Sequence, residues 1–117
     1  CFHLRNLSDE MIRQLAERGG VTGINFCPSF LREEEPAAKK ASTMDMVRHM
    51  KYLRNVGGID IIGLGTDFDG FSGETDVPDT AHMQHLADVM SHEGFTDEEI
   101  EKVFSKNVLR VLRECWK

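Results

Sequence analysis

The chain has 117 residues, 40% hydrophobic and 29% charged, with 14 Lys plus Arg against 20 Asp plus Glu and a formal net charge of −6. That balance fits one globular domain or part of one, and the negative charge disfavours nucleic acid or an anionic membrane as partner. No apolar run approaches the roughly 18 residues of a membrane span, and neither end carries a signal or lipid-anchor pattern. Cys1, Cys27 and Cys115 are too widely spaced for a CxxC zinc site or a disulfide framework. The expectation is a soluble, cytoplasmic chain with reduced thiols.

Ser8 is a good N-cap, Asp9 and Glu10 put negative charge in a first turn, and Met11, Ile12, Leu15 and Ala16 form an apolar stripe ended by Gly19-Gly20. A helix over 9–18 is predicted. Val21 to Phe26 is short, partly β-branched and closed by Pro28, which reads as a buried strand. Residues 31–41 are charged, contain Glu33-Glu34-Glu35 and Pro36, and read as a surface loop or a loop with a turn of helix rather than a domain linker, with the glutamates solvated. Ser42 with Asp45 makes a capping box for a helix carrying Met46, Val47, Met50 and Leu53 until Gly57-Gly58. Ile59 to Thr66 is a second apolar strand. A polar loop to Pro78 leads to a helix with Met83, Leu86, Ala87 and Met90, stopped by Gly94. Thr96 with Glu99 caps another helix, and Asn107 restarts a last one.

Two strands joined through a helix make a βαβ unit with parallel strands. Two strands alone cannot form a parallel sheet covered on both faces. The chain therefore either pairs with further copies, as in a homodimer, or is part of a larger α/β domain, and its start at Cys1 rather than Met favours the second reading.

The chemistry concentrates in Gly63-Leu64-Gly65-Thr66-Asp67-Phe68-Asp69-Gly70. On an extended chain Ile62, Leu64, Thr66 and Phe68 share one face, while Gly63, Gly65, Asp67 and Asp69 share the other. Small residues thus lead up to carboxylates at a strand's C-terminal end, where parallel α/β sheets and barrels bind ligands. The plainer reading is turn chemistry, with Gly70 at positive φ. An EF-hand fails because Ser72 and Pro78 fall at its glycine and glutamate positions, and a GxGxxG fails because Phe68 replaces the third glycine. A D-x-D phosphotransferase, with Asp67 as phosphoryl acceptor, is the main competitor, although Phe71 stands where its threonine would fall.

Arg5-Asn6-Leu7-Ser8-Asp9-Glu10, Gly19-Gly20-Val21-Thr22-Gly23-Ile24-Asn25-Phe26, the GLGTDFDG segment and Asn107-Val108-Leu109-Arg110-Val111 together resemble the C-terminal third of the membrane (renal) dipeptidase family. The resemblance implies a (β/α)8 barrel, of which this piece supplies two strands and closing helices. It also implies two zinc ions and a bridging hydroxide that attacks a dipeptide carbonyl. Asp67 matches the family's proton-handling aspartate, Asp69 takes a supporting place beside the substrate, and Arg5 matches the arginine that grips the substrate carboxylate. The metal ligands, an HxD pair, a glutamate and two histidines, are expected upstream of Cys1. The chain alone then holds no dinuclear site, is inactive by itself, and needs the remainder of the barrel as partner.

Other candidates have plainer readings. His3 lies on the wrong side of Cys1 for the last ligand. His82 and His85 could share a helix face toward a metal but read better as a surface pair, like His49 and His92. Phe26, Cys27 and Phe30 lie at or beyond a strand end, where they could line a substrate pocket. Cys27 has no paired base, so packing suits it better than nucleophilic chemistry. The methionines of both Met-rich helices read as core filler.

Overall fold

The computed structural model describes residues 3–32 and 40–116, so the Glu33-Glu34-Glu35 run lies outside the described residues. Helix α1 (Asp9–Glu17) starts where Ser8 Oγ accepts the Met11 amide proton, and it buries Ile12. Strand β1 (Thr22–Ile24) is followed by a one-turn helix α2 (Pro28–Leu31), with Pro28 supplying the preset φ of a first helical residue. After β2 (Lys40–Ala41) comes α3 (Thr43–Gly57), whose capping box is complete: Ser42 Oγ accepts from Asp45 N and Asp45 Oδ2 from Ser42 N. Strand β3 (Ile62–Leu64) and the two-residue β4 (Glu74–Thr75) precede α4 (Met83–His92), then α5 (Asp97–Glu101) with its Thr96–Glu99 box, and α6 (Asn107–Cys115). No described helix is long and apolar enough to cross a membrane.

β1 and β3 pair in parallel, Thr22 opposite Ile62 and Ile24 opposite Leu64, while β2 and β4 form a second parallel pair. Main-chain bonding of the first pair continues past the strands, from Gly65 N to Ile24 O (3.0 Å) and from Phe26 N to Thr66 O (3.3 Å). The backbones approach so closely that a Cβ on Gly23 would lie 2.8 Å from Gly65 Cα. Glycine is required there for space rather than for φ.

The predicted alternation holds along the strands. Ile24, Phe26 and Ile62 share one buried core with Met46, Val47 and Met50 of α3, against which both strands lie, and with Leu86 and Met90 of α4, which packs on α3. Burying each such side chain contributes about 1.5–3 kcal/mol, so this layer fixes the strands on the helices. Phe26 belongs to that core at 0% exposure, against the expectation that it could line a pocket. The opposite face carries the exposed Gly23 and Gly65. At its N-terminal end α6 closes over it, since a Cβ on Gly63 would lie 3.2 Å from Val108 Cγ2.

Two predicted boundaries shift. The segment Ile59–Ile61, expected as strand, is a 3-10 turn. Asn107, expected to restart a helix, instead continues one helical run through a π-helical turn at Lys102–Lys106. The two changes share a cause. Buried Asn107 (3% exposed) turns inward, and its Nδ2 donates to Ile59 O and Ile62 O, both at 2.8 Å. One helical turn on, Arg110 Nη2 donates to Asp60 O (3.0 Å) and Gly19 O (3.2 Å). Together they bind the carbonyls of the turn that a ladder would otherwise use, so β3 begins only at Ile62.

Asn107→Asp keeps the shape but removes the donor, leaving two carbonyls facing a carboxylate. A loss of about 2–4 kcal/mol is expected from denaturant unfolding. A loss below about 0.5 kcal/mol would show that the clamp contributes little.

Candidate active site

The extended run stops beyond Thr66. Asp67 (φ 60°) and Asp69 (φ 65°) are both left-handed, a region that aspartate enters more readily than most side chains. The two carboxylates therefore do not lie on one face of a strand, as alternation suggested; they occupy a turn closed by Gly70 N to Asp67 O at 2.9 Å. Gly70 is not among the positive-φ residues, against the plain turn reading. A Cβ at that position would lie 2.1 Å from Asp67 Oδ1, so a larger residue there would require the folded-back aspartate side chain to move.

From the neighbouring strand end, Asn25 Nδ2 donates to Asp67 Oδ2 at 3.1 Å, while Asn25 Oδ1 accepts from Cys27 N at 2.8 Å. Cys27 Sγ lies 3.2 Å from Ser29 Oγ. Its partner is a hydroxyl rather than a base, in keeping with packing.

Arg5 sits in a turn in which Asn6 N donates to His3 O (2.9 Å) and Arg5 N to His3 Nδ1 (3.2 Å). The turn docks on Phe30. The His3 ring packs on it at 4.6 Å, the Arg5 guanidinium stands 4.8 Å from its centroid, and Asn6 Nδ2 donates to its carbonyl at 2.9 Å. Stacking on an aromatic face leaves the guanidinium edge open to a carboxylate. A cavity of about 540 Å³ opens beside it, lined by Arg5, Phe30, Asn25, His49 and Tyr52 among others, a size suited to a small molecule. Asp67 and Asp69 do not line this cavity. Asn25 joins the two parts, lining the cavity and holding Asp67. Asp69 is exposed.

His49 departs from its expected surface place. It lines the cavity, its Nε2 is buried without a hydrogen-bond partner among the described residues, and burial pushes its pKa down to about 4. His82 and His85 are exposed, and His82 Nδ1 meets Asp79 at 2.6 Å, which holds the Asp79 carboxyl below its usual range. Among the described residues no three His, Cys, Asp or Glu side chains converge as a metal ion would require. The described side chains do not by themselves make a metal centre.

Residues 1–116 match the membrane dipeptidase family, peptidase family M19. The chain belongs to that family. A protein encoded in the pqqA 5′ region of Klebsiella pneumoniae is 34% identical over 99% of this chain and 43% of its own length. The dipeptidase tcpJ of Claviceps purpurea is 34% identical over 96% of this chain and 26% of its own. The chain thus spans well under half the length of these relatives. In structure it resembles a metallopeptidase from Rhodobacter sphaeroides crystallised with a phosphinate mimic of the dipeptide L-Ala-D-Ala. That likeness has a TM-score of 0.85 and 29% identity over 93% of this chain and 31% of the other. The α/β reading, a portion of a (β/α)8 barrel-like fold with parallel strands and covering helices, therefore stands, and membrane dipeptidases are not the phosphotransferase class weighed for Asp67-Phe68-Asp69.

Within this membrane dipeptidase piece Asn25 escaped the sequence reading. Its signal was available: with the two strands parallel and aligned through Gly23 and Gly63, Asn25 falls on the glycine face beside the Gly65–Asp67 end.

Because the His49 ring resists protonation in the fold, the unfolded chain takes up a proton near its ordinary value of about 6.5, before the folded chain does. Stability is full above about pH 6.5 and falls as pH drops toward 4. Unfolding midpoints measured across that window should show roughly 2–3 kcal/mol more loss in the wild type than in His49→Gln. Parallel curves would contradict the buried neutral ring.

Proposed function

We propose that this chain serves hydrolysis of dipeptides bearing a free C-terminal carboxylate, within the complete membrane dipeptidase domain. The observation that carries the reading is the continuity of the site. Arg5 on its Phe30 platform, the cavity and Asp67 are joined through one side chain, Asn25. Arg5 binds the substrate carboxylate as a fork of donors. Asp67, beyond the C-terminal end of β3, accepts a proton as water adds to the peptide carbonyl, and returns it to the amine nitrogen as the C–N bond breaks. Asp69, exposed on the same turn, takes a supporting place at the substrate's rim.

The family's metal, two zinc ions by the resemblance, is held by residues other than those described. The remainder of the barrel supplies them. The free thiols of Cys27 and Cys115 fit a cytoplasmic setting.

In a polypeptide carrying the full family domain, Asp67→Asn is expected to lower kcat by about 10²–10⁴-fold with metal content unchanged. Undiminished turnover would remove the proton-transfer role. Arg5→Ala is expected to raise KM by about 10–100-fold for free dipeptides, with little change for C-terminally amidated ones. An equal loss on both would argue against the carboxylate grip.

A further inference from the structure

We infer that Asn25 is a positioning residue for Asp67, setting the orientation in which its carboxylate meets the substrate. The inference rests on the proton-handling role of Asp67. It starts from the geometry of one amide. Asn25 Oδ1 is engaged by Cys27 N at 2.8 Å, which fixes which end of the amide faces which way. Nδ2 must then point across to the other strand end, where it donates to Asp67 Oδ2 at 3.1 Å.

On the Asp67 carboxylate, Oδ2 accepts from Asn25 Nδ2, while Oδ1 lies over Gly70, which has no side chain to displace it. Its backbone is left-handed at φ 60°, a region open to aspartate, so the backbone alone does not fix where the carboxylate points. A hydrogen bond from a residue 42 positions away, just past a strand whose Gly23 backbone packs against Gly65, supplies that orientation. Asn25 also lines the cavity beside Arg5 and Phe30, so the residue that orients the proton carrier borders the place where substrate is gripped. Proton transfer tolerates little misplacement of the carrier.

The decisive variant is Asn25→Asp in the full-domain enzyme. It keeps an acceptor for Cys27 N, and hence the local turn, but offers no donor to Asp67. Asn25→Ala removes both, with circular dichroism reporting whether the fold survives. Both are expected to lower kcat at least about tenfold, the usual effect of losing a hydrogen bond to a charged group, with KM within about twofold. In the Asp67→Asn background, Asn25→Asp should cost little further, because both changes act through one carboxylate. If Asn25→Asp retains full kcat while Asp67→Asn loses it, the positioning role falls and the role of Asp67 stands. If the two losses multiply, or KM rises as much as kcat falls, Asn25 acts by another route and the inference is overturned. If Asp67→Asn turns over normally, the parent reading fails and this inference with it.

Discussion

The site depends on the backbone contact between two strand ends. Parallel strands that carried ordinary side chains at Gly23 and Gly65 would have to move apart there, since a Cβ on either meets the main chain of the other within 2.8–3.2 Å. Strand spacing at this point sets everything above it. It lets Phe26 N reach Thr66 O, brings the Asn25 amide to the Asp67 carboxylate, and leaves the glycine face open. The apolar face supplies the opposing force, burying Ile24, Phe26 and Ile62 in the core on the α3 side.

Charge plays a smaller structural part. Among the described residues, pairs such as Lys40–Glu74 and Arg13–Asp9 are exposed and contribute little. The partly buried ones, Lys51–Glu93 and Arg54–Glu99, join α3 to the loop after α4 and to α5, with Arg54 also stacked 4.2 Å from the Phe95 centroid. They tie helices to one another rather than to the strands. The strand layer is held by burial and by the side-chain donors of Asn107 and Arg110.

What was legible in the sequence was local. Ser8, Ser42 and Thr96 cap helices through bonds to residues three positions away, so the neighbourhood alone reveals them. Met46, Met50 and Met90 follow helical periodicity into the core. What escaped depends on distant chain. Asn107 reads as a helix start until the carbonyls of Ile59 and Ile62, 45 or more positions earlier, claim its amide. His49 reads as surface because its burial depends on distant chain: with Leu31, from the one-turn helix α2, it lines a cavity bordered by residues as far off as Arg5 and Thr22. Alternation carried Asp67 along the glycine face and could not foresee its left-handed turn, where Asn25 from the other strand end bonds to its carboxylate.

The π-helical turn at Lys102–Lys106 carries a consequence for how such a chain tolerates insertion and deletion. An α-helix advances about 100° per residue, and a π turn accommodates one extra residue without breaking the run. Here that extra residue phases the last helix, so that Asn107 and Arg110 both point at the turn before β3 while Val108 covers Gly63. Removing one residue from this segment would restore an ordinary helix and rotate all three away together. The irregular turn thus acts as an index mark: chain length is constrained there as well as the identity of the buried Val103 within it.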